Sequence, residues 1–318
     1  MFIVTGGAGF IGSNLVRGLN ARGVRDILIV DDLEHGDKHR SLNGLEFDDF
    51  VDYRDFRDHL GRFQGAKIEA IFHQGACSDT TEKNGRYMLS VNYEYSKTLL
   101  HFALGRCPFI YASSAAVYGN GDNGFREERD CEWPLNVYGF SKQLFDRHVR
   151  SHCEHAPTQV VGLRYFNVYG PQENHKGRMA SVVLKFHEQA AANGELKIFA
   201  GSAKFLRDFV FVDDVVAVNL HFLDHRERSG IFNCGSGRAE SFRALAEATA
   251  AHYPGARITE IPFPDDLRGK YQAFTCADLT RLRAAGYGRE FTSLEQGVAA
   301  YVRVLKNGGG YYRSAAHS

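Results

Sequence analysis

The chain has no CxxC pair among its six cysteines (Cys77, Cys107, Cys131, Cys153, Cys234 and Cys276), no excess of either charge, and no apolar run approaching the length that spans a bilayer. Each absence narrows the function. Scattered cysteines without redox or metal-ligand spacing make a reducing cytoplasm the simplest compartment, and no metal is expected. Lys plus Arg and Asp plus Glu both total 38, so no net field draws nucleic acid or anionic lipid, and neither nucleic acid nor membrane is an expected partner. Small molecules are. The first apolar strand starts at residue 2, so no signal peptide is expected. What is present is 318 residues with 44% hydrophobic content, enough for a large core and two lobes of a globular enzyme.

The strand Phe2-Ile3-Val4 runs into Thr5-Gly6-Gly7-Ala8-Gly9-Phe10-Ile11-Gly12. Glycines at 6, 9 and 12 allow a tight strand-to-helix turn and let a pyrophosphate approach the positive end of a helix, the pattern of a dinucleotide site. The next strand, Ile27 to Val30, ends at Asp31, where this nucleotide fold keeps the carboxylate that recognises the adenosine ribose. Further strands are expected at 50–53, 70–72, 109–112 and 160–164, alternating with helical patterns. That alternation predicts an α/β fold: a Rossmann-type doubly wound parallel sheet, ligands binding at the carboxyl ends of its strands.

Residues 1–170 are expected to form the dinucleotide-binding domain, with later segments such as 208–235 folding back onto it. A smaller, mainly substrate-binding lobe follows over 171–306, with helices expected near 180–193 and 241–252 and a strand at 196–199. The Gly- and Ser-rich end, 307–318, reads as a flexible tail. Asp213 and Asp214 read as cap residues for the helix after them.

Tyr138-Gly139-Phe140-Ser141-Lys142 places a phenol and an ammonium four residues apart, on one face if the segment is helical. Lowering a tyrosine from its ordinary value near 10 by ~3 units takes ~4 kcal/mol of preferential phenolate stabilisation, which Lys142 and an oxidised nicotinamide together can supply. Ser114, just after the 109–112 strand, can donate to a substrate oxygen as it becomes a carbonyl; Ser113 fits that role and plain strand-end hydrogen bonding equally well.

The segments TGGAGFIGS, YASSAAVYG, YGFSK, RYFNVYGP and RDFVFVDDV resemble the extended short-chain dehydrogenase/reductase superfamily, and HQGACSDTTEKNGRYM, ENHKGRMAS, FNCGSGRAESF and RGKYQAF resemble its ADP-L-glycero-D-manno-heptose 6-epimerase family nearly end to end. The resemblance implies an isomerase that inverts C6 of ADP-D-glycero-β-D-manno-heptose by transient oxidation to a 6-keto sugar and reduction on the opposite face. It implies Tyr138, Lys142, Ser114 and a second acid/base, Lys176, as catalytic residues. It also implies cofactor contacts from Gly6, Gly9, Phe10, Ile11, Gly12, Asp31, Asp32, Lys38, Gln74, Gly75, Ala76, Cys77, Ser78, Asn92, Lys142 and His175. Substrate contacts carry over to Asn167, Arg178, Lys185, Phe199, Ala200, Gly201, Ser202, Arg207 and Tyr271, of which Arg178 and Arg207 suit a diphosphate. Phe199 and Tyr271 suit a core equally well. A homo-oligomer, with a homopentamer as one form, and a place in lipopolysaccharide core biosynthesis in a Gram-negative cytoplasm are implied as well.

The resemblance implies NADP, with Lys38 on the phosphate side, whereas Asp31, Asp32 and Glu34 favour the free 2′-hydroxyl of NAD; Tyr53 stands where relatives can offer another lysine, and Arg54 or Arg40 could compensate. NADP with NAD tolerated is the expectation. The rival readings are a UDP-hexose 4-epimerase, a dehydratase, against which Ala115-Ala116 after Ser114 speaks, and a catalytically silent nicotinamide-sensing protein, which would need neither Tyr138 nor Lys142.

Overall fold

In the computed structural model, residues 1–153, 156–264 and 272–313 are described. The strands are Phe2–Thr5 (β1), Ile27–Asp31 (β2), Asp49–Asp52 (β3), Ala70–His73 (β4), Phe109–Ser114 (β5), Val160–Tyr165 (β6) and Gly230–Cys234 (β7). The main helices are Phe10–Ala21 (α1), Tyr95–Ala103 (α2), Val137–His152 (α3), Val182–Asn193 (α4), Val212–Asp224 (α5), Phe242–Ala250 (α6) and Leu294–Gly308 (α7).

The seven strands form one sheet in the order β7-β6-β5-β4-β1-β2-β3, every pairing parallel. Runs such as Ile27–Asp31 and Val160–Tyr165 are buried throughout because helices cover both faces, so they carry no polar alternation. On one face Leu15, Val16 and Leu19 of α1 meet Val215, Val216 and Leu220 of α5. On the other, Leu99 and Leu100 of α2 meet Phe145 and Val149 of α3. A further core gathers Leu184 of α4, Leu245 of α6 and Val298, Tyr301 and Val302 of α7, and it includes Phe10 at the start of α1. This third core therefore abuts the glycine turn.

Serines set helix starts that the apolar pattern alone places one or two residues early: Ser181 caps α4, and Ser241 caps α6 by accepting from the Ala244 N–H at 3.0 Å. Two expectations do not hold. Asp213 and Asp214 lie in the first turn of α5 and cap nothing there; Asp213 pairs with Arg17, and Asp214 accepts from the Thr292 N–H at 2.8 Å. The stretch 307–313 is not a loose tail. Gly309 closes α7 in the left-handed conformation, the Gly310 carbonyl accepts from the Gln172 N–H at 2.7 Å, and the rings of Tyr311 and Tyr312 lie under the guanidinium groups of Arg40 and Arg17 at 4.5 and 4.1 Å. Residues 314–318 lie outside the described residues.

One buried cluster fixes α3 against the sheet. The fully buried Asp146 carboxylate accepts from Tyr111 Oη at 2.9 Å, Ser113 Oγ at 3.0 Å and Arg164 Nε at 2.9 Å, joining α3 to β5 and β6. Arg164 also pairs with Glu132, which Arg150 holds from α3 at 2.6 Å. A buried ion set of this kind is weak as a net stabiliser, but removing one member strands the others uncompensated. Arg164→Met is expected to destabilise the fold by about 3–5 kcal/mol, read as a lowered urea midpoint at unchanged slope; a change below about 1 kcal/mol would contradict the role given to the cluster.

Candidate active site

The carboxyl ends of β1, β2, β4, β5 and β6 open into a single cleft of about 1480 Å³, bordered on its far side by the 174–179 turn and the start of α4. Its floor is the glycine turn. Gly6 adopts φ +68°, and a Cβ on Gly12 would fall 2.0 Å from the Gly6 carbonyl oxygen, so no larger residue fits that turn. Gly9 precedes α1 without a side-chain cap, and no acidic residue stands in the first turn, which leaves the helix start suited to an anion.

At the end of β2, Asp31 Oδ2 accepts from the Ala8 N–H at 2.8 Å and Oδ1 from Lys38 Nζ at 2.5 Å; Lys38 also reaches Asp32 at 3.2 Å. Burial raises the Asp31 carboxyl above its ordinary value against the pull of Lys38. Glu34, Tyr53 and His35 complete this rim. Arg54 is held by Glu34 and Asp52 while stacking on Tyr53, and Arg40 stands outside the cleft over Tyr311.

Asn136 caps α3 by accepting from the Gly139 N–H at 2.8 Å, and a Cβ on Gly139 would approach the Ala116 carbonyl oxygen to 2.7 Å. The glycine of the YGFSK segment thus lets α3 press against the turn after β5. Tyr138 and Lys142 both reach the cleft from that helix. The Tyr138 phenol is raised by burial and lowered by its hydrogen bond to Ser114, whose Oγ also accepts from the Ala116 N–H at 3.2 Å. Lys142 donates to the Ala112 carbonyl at 2.9 Å, and burial brings it down to about 8. Ser113 turns away and donates to Asp146.

The 174–179 turn also carries His175, Lys176 and Arg178 to the cleft. Lys176 Nζ stands 5.1 Å above the Phe10 ring, and burial lowers the ammonium. Burial likewise lowers His175, to about 4, and its buried Nδ1 has no partner among the described residues. Arg178 donates to Asp79 Oδ2 and Thr81 Oγ1, both at 2.6 Å, across the mouth. Asn167 lines the cleft, as does Arg207, which donates to the carbonyls of Leu206 and Gln272. The Gln74 to Ser78 segment completes the lining.

Not every expected residue arrives. Asn92 is buried behind the wall, where its amide binds both the N–H and the carbonyl of Cys77, at 2.8 and 3.0 Å. Lys185 sits on the exposed face of α4 and donates to the Arg178 carbonyl at 3.0 Å. Phe199 ends the strand Glu195–Phe199 with its ring 5.5 Å from Phe263, and Phe199, Ala200, Gly201 and Ser202 do not line the cleft. Tyr271 lies outside the described residues. Three residues went unforeseen: Asp79 and Thr81, which hold Arg178, and Asn219, which meets Gln74 at 3.3 Å and Tyr165 at 3.0 Å. An asparagine inside the apolar run Val215 to Leu223 was the available signal. No group of three or more His, Cys, Asp or Glu able to hold a metal exists among the described residues, and no described helix is long and apolar enough to cross a membrane.

Residues 2–235 match the model of the NAD dependent epimerase/dehydratase family. The chain is 56% identical over 316 residues, 98% of its length and 99% of the relative's, to the ADP-L-glycero-D-manno-heptose-6-epimerase of Brachyspira hyodysenteriae. The chain belongs to the NAD dependent epimerase/dehydratase family. Among solved structures, this epimerase/dehydratase resembles the Helicobacter pylori ADP-L-glycero-D-manno-heptose-6-epimerase with a TM-score of 0.83 and 32% identity over 96% of both chains. It also resembles the Thermus thermophilus UDP-glucose 4-epimerase in complex with NAD, with a TM-score of 0.79 and 27% identity over 96% of this chain and 99% of that one.

His73, at the end of β4, is fully buried between Thr5 Oγ1 at 2.6 Å and Ser96 Oγ at 2.8 Å, and burial lowers it from 6.5 to about 3. Between those values the unfolded chain binds a proton that the folded chain refuses, so stability falls as pH drops from 6.5 towards 3. His73→Gln is expected to flatten that acid limb in urea titrations at several pH values; an unchanged slope would show that His73 is not its source.

Proposed function

We propose that this protein inverts C6 of ADP-D-glycero-β-D-manno-heptose to give the L-glycero epimer through a 6-keto sugar. The observation that carries the reading is that two proton-transfer groups from separate elements, Tyr138 on α3 and Lys176 on the 174–179 turn, line one cleft. Epimerisation through a ketone needs the proton of the alcohol removed in one pose and returned in another, and a single group cannot easily serve both. Tyr138 takes the hydroxyl proton, Ser114 steadies the oxygen as it becomes a carbonyl, and Lys176 returns a proton when the sugar presents its other face. Lys142, anchored on the Ala112 carbonyl, keeps positive charge behind the phenol. Arg178 and Arg207 take the diphosphate; for Arg178 this means exchanging Asp79 for the ligand.

The cleft fits a dinucleotide. The uncapped start of α1, the glycine turn too tight for a Cβ and the orphaned Nδ1 of His175 are all features that such a group would satisfy. A bound nicotinamide would supply a reversible hydride acceptor with no net redox, and its positive charge would lower the Tyr138 phenol that burial holds up. Gly6, Gly9, Phe10, Ile11 and Gly12 would hold the pyrophosphate end, and Asp31, Asp32 and Lys38 the adenosine ribose. NADP is preferred and NAD tolerated: a 2′-phosphate would have to draw Lys38 from Asp31 and Asp32, the two carboxylates that favour a free 2′-hydroxyl. The working form is a cytoplasmic homo-oligomer, with five subunits the specific expectation, supplying heptose for the lipopolysaccharide core.

Proton NMR of ADP-D-glycero-β-D-manno-heptose with cofactor-loaded protein should show the L-glycero epimer appearing while UDP-glucose stays unchanged; an unchanged heptose spectrum refutes the reading. Tyr138→Phe and Lys176→Met are each expected to slow that conversion by about 10²–10⁴-fold with circular dichroism and cofactor content retained. Near-normal turnover removes the residue concerned from the mechanism. Lys38→Ala should weaken NADP binding by about tenfold and NAD binding hardly at all, measured by calorimetry on the apo protein; equal losses for both would take Lys38 off the phosphate.

A further inference from the structure

We infer that the hydroxyl of Tyr95, the first residue of α2, is a binding group for the adenine ring of the dinucleotide. The inference rests on reading the cleft as a dinucleotide site and deepens that reading. Among the described residues, only two side chains both line the cleft and carry a buried polar atom without a partner: His175 through Nδ1 and Tyr95 through its hydroxyl. Tyr95 is 3% exposed. A hydroxyl taken out of water and left unbonded is costly, and native folds seldom carry one unless a bound group meets it.

The rings around Tyr95 do not meet it. His73 stands edge-on at 5.5 Å between centroids, and both of its nitrogens are taken, by Thr5 Oγ1 at 2.6 Å and Ser96 Oγ at 2.8 Å. Tyr53 lies tilted at 5.8 Å with the Arg54 guanidinium over its ring. Those neighbours also fix where the hydroxyl is. Tyr53 directly follows Asp52, and Asp52 is the ladder partner of Asp31, the acid at the end of β2. Tyr95 therefore stands beside the strand ends at which this fold reads the adenosine ribose.

The base is the part of the adenosine that calls for such a group. Asp31, Asp32 and Lys38 already serve the ribose, whereas a purine brings ring-nitrogen acceptors and an amino donor on the edge opposite its sugar. Burial raises the Tyr95 phenol above its ordinary value, so the hydroxyl keeps its proton and can donate or accept. Depth adds a size requirement. A pyrimidine is one ring shorter from the glycosidic bond and does not carry its polar edge as far into the wall.

Tyr95→Phe removes that one oxygen. Calorimetry on the full-length protein freed of cofactor should show the variant binding NADP and NAD about three- to tenfold more weakly than the wild type, the worth of one neutral hydrogen bond. Nicotinamide cytosine dinucleotide, whose base stops short of the hydroxyl, should bind both proteins alike. The urea midpoint of the ligand-free variant should hold or rise, because an unbonded buried hydroxyl has been deleted. A purely structural role gives the reverse, a lowered midpoint with no loss selective for adenine. The inference is overturned by unchanged affinity for NADP and NAD, by equal losses for the adenine and cytosine dinucleotides, or by a lowered midpoint. If the wild type binds neither NADP nor NAD, the dinucleotide reading itself falls and the inference with it. Equal binding of NADP by wild type and variant removes only Tyr95, so the two failures are distinguishable.

Discussion

The bond set around Asp146 is the constraint on which the site depends. A helix lying on a parallel sheet can slide or turn by a residue at small loss of apolar contact, because Leu, Phe and Val pack tolerably in several registers. Hydrogen bonds and charge do not allow such slack. With Asp146 fixed to Tyr111 and Ser113 on β5 and to Arg164 on β6, α3 has one register, and Tyr138 and Lys142, two turns and one turn earlier, can only face the end of β5. Lys142 seals the arrangement on the Ala112 carbonyl. The polar atoms nearest the proposed chemistry are therefore held by a buried network rather than by loops.

The turn that carries Lys176 is built differently. The turn at 174–179 includes Gly177 at φ +51° and carries three cationic or titratable side chains on six residues. Its fixed point is Glu173, bound to the start of α4, and its outer end is Arg178, bound to Asp79 and Thr81 on the far lip of the cleft. The rigid wall bears the tyrosine, and the wall with an exposed polar latch bears the lysine. A sugar that has to present both faces of a carbonyl needs that asymmetry, because one partner must stay beside the cofactor while the other tolerates a change of pose.

Much of this was legible in the residues. Continuous apolar runs such as Ile27–Val30 marked fully buried strands, and the glycine spacing marked the turn beneath the cleft, because both are local consequences of burial and backbone geometry. The failures share a cause, which is orientation and pairing across long sequence distances. Glycines at 308–310 suggested a frayed end, but the two tyrosines after them find Arg40 and Arg17, more than 250 residues away in the chain. Lys185 and Phe199 were placed in the site through kinship, yet α4 turns the lysine outward and the ring packs against Phe263. Asp79 was missed because nothing near it in sequence points to Arg178, 99 residues on.

The central claim is that Tyr138 and Lys176 address the same sugar carbon from opposite sides. A crystal structure with NADP and ADP-D-glycero-β-D-manno-heptose bound tests it most directly. The account predicts the C6 hydroxyl within hydrogen-bond reach of the Tyr138 phenol, with Lys176 Nζ on the other side of that carbon. A heptose seated with C6 away from both, or with Lys176 bound only to the diphosphate, would contradict it.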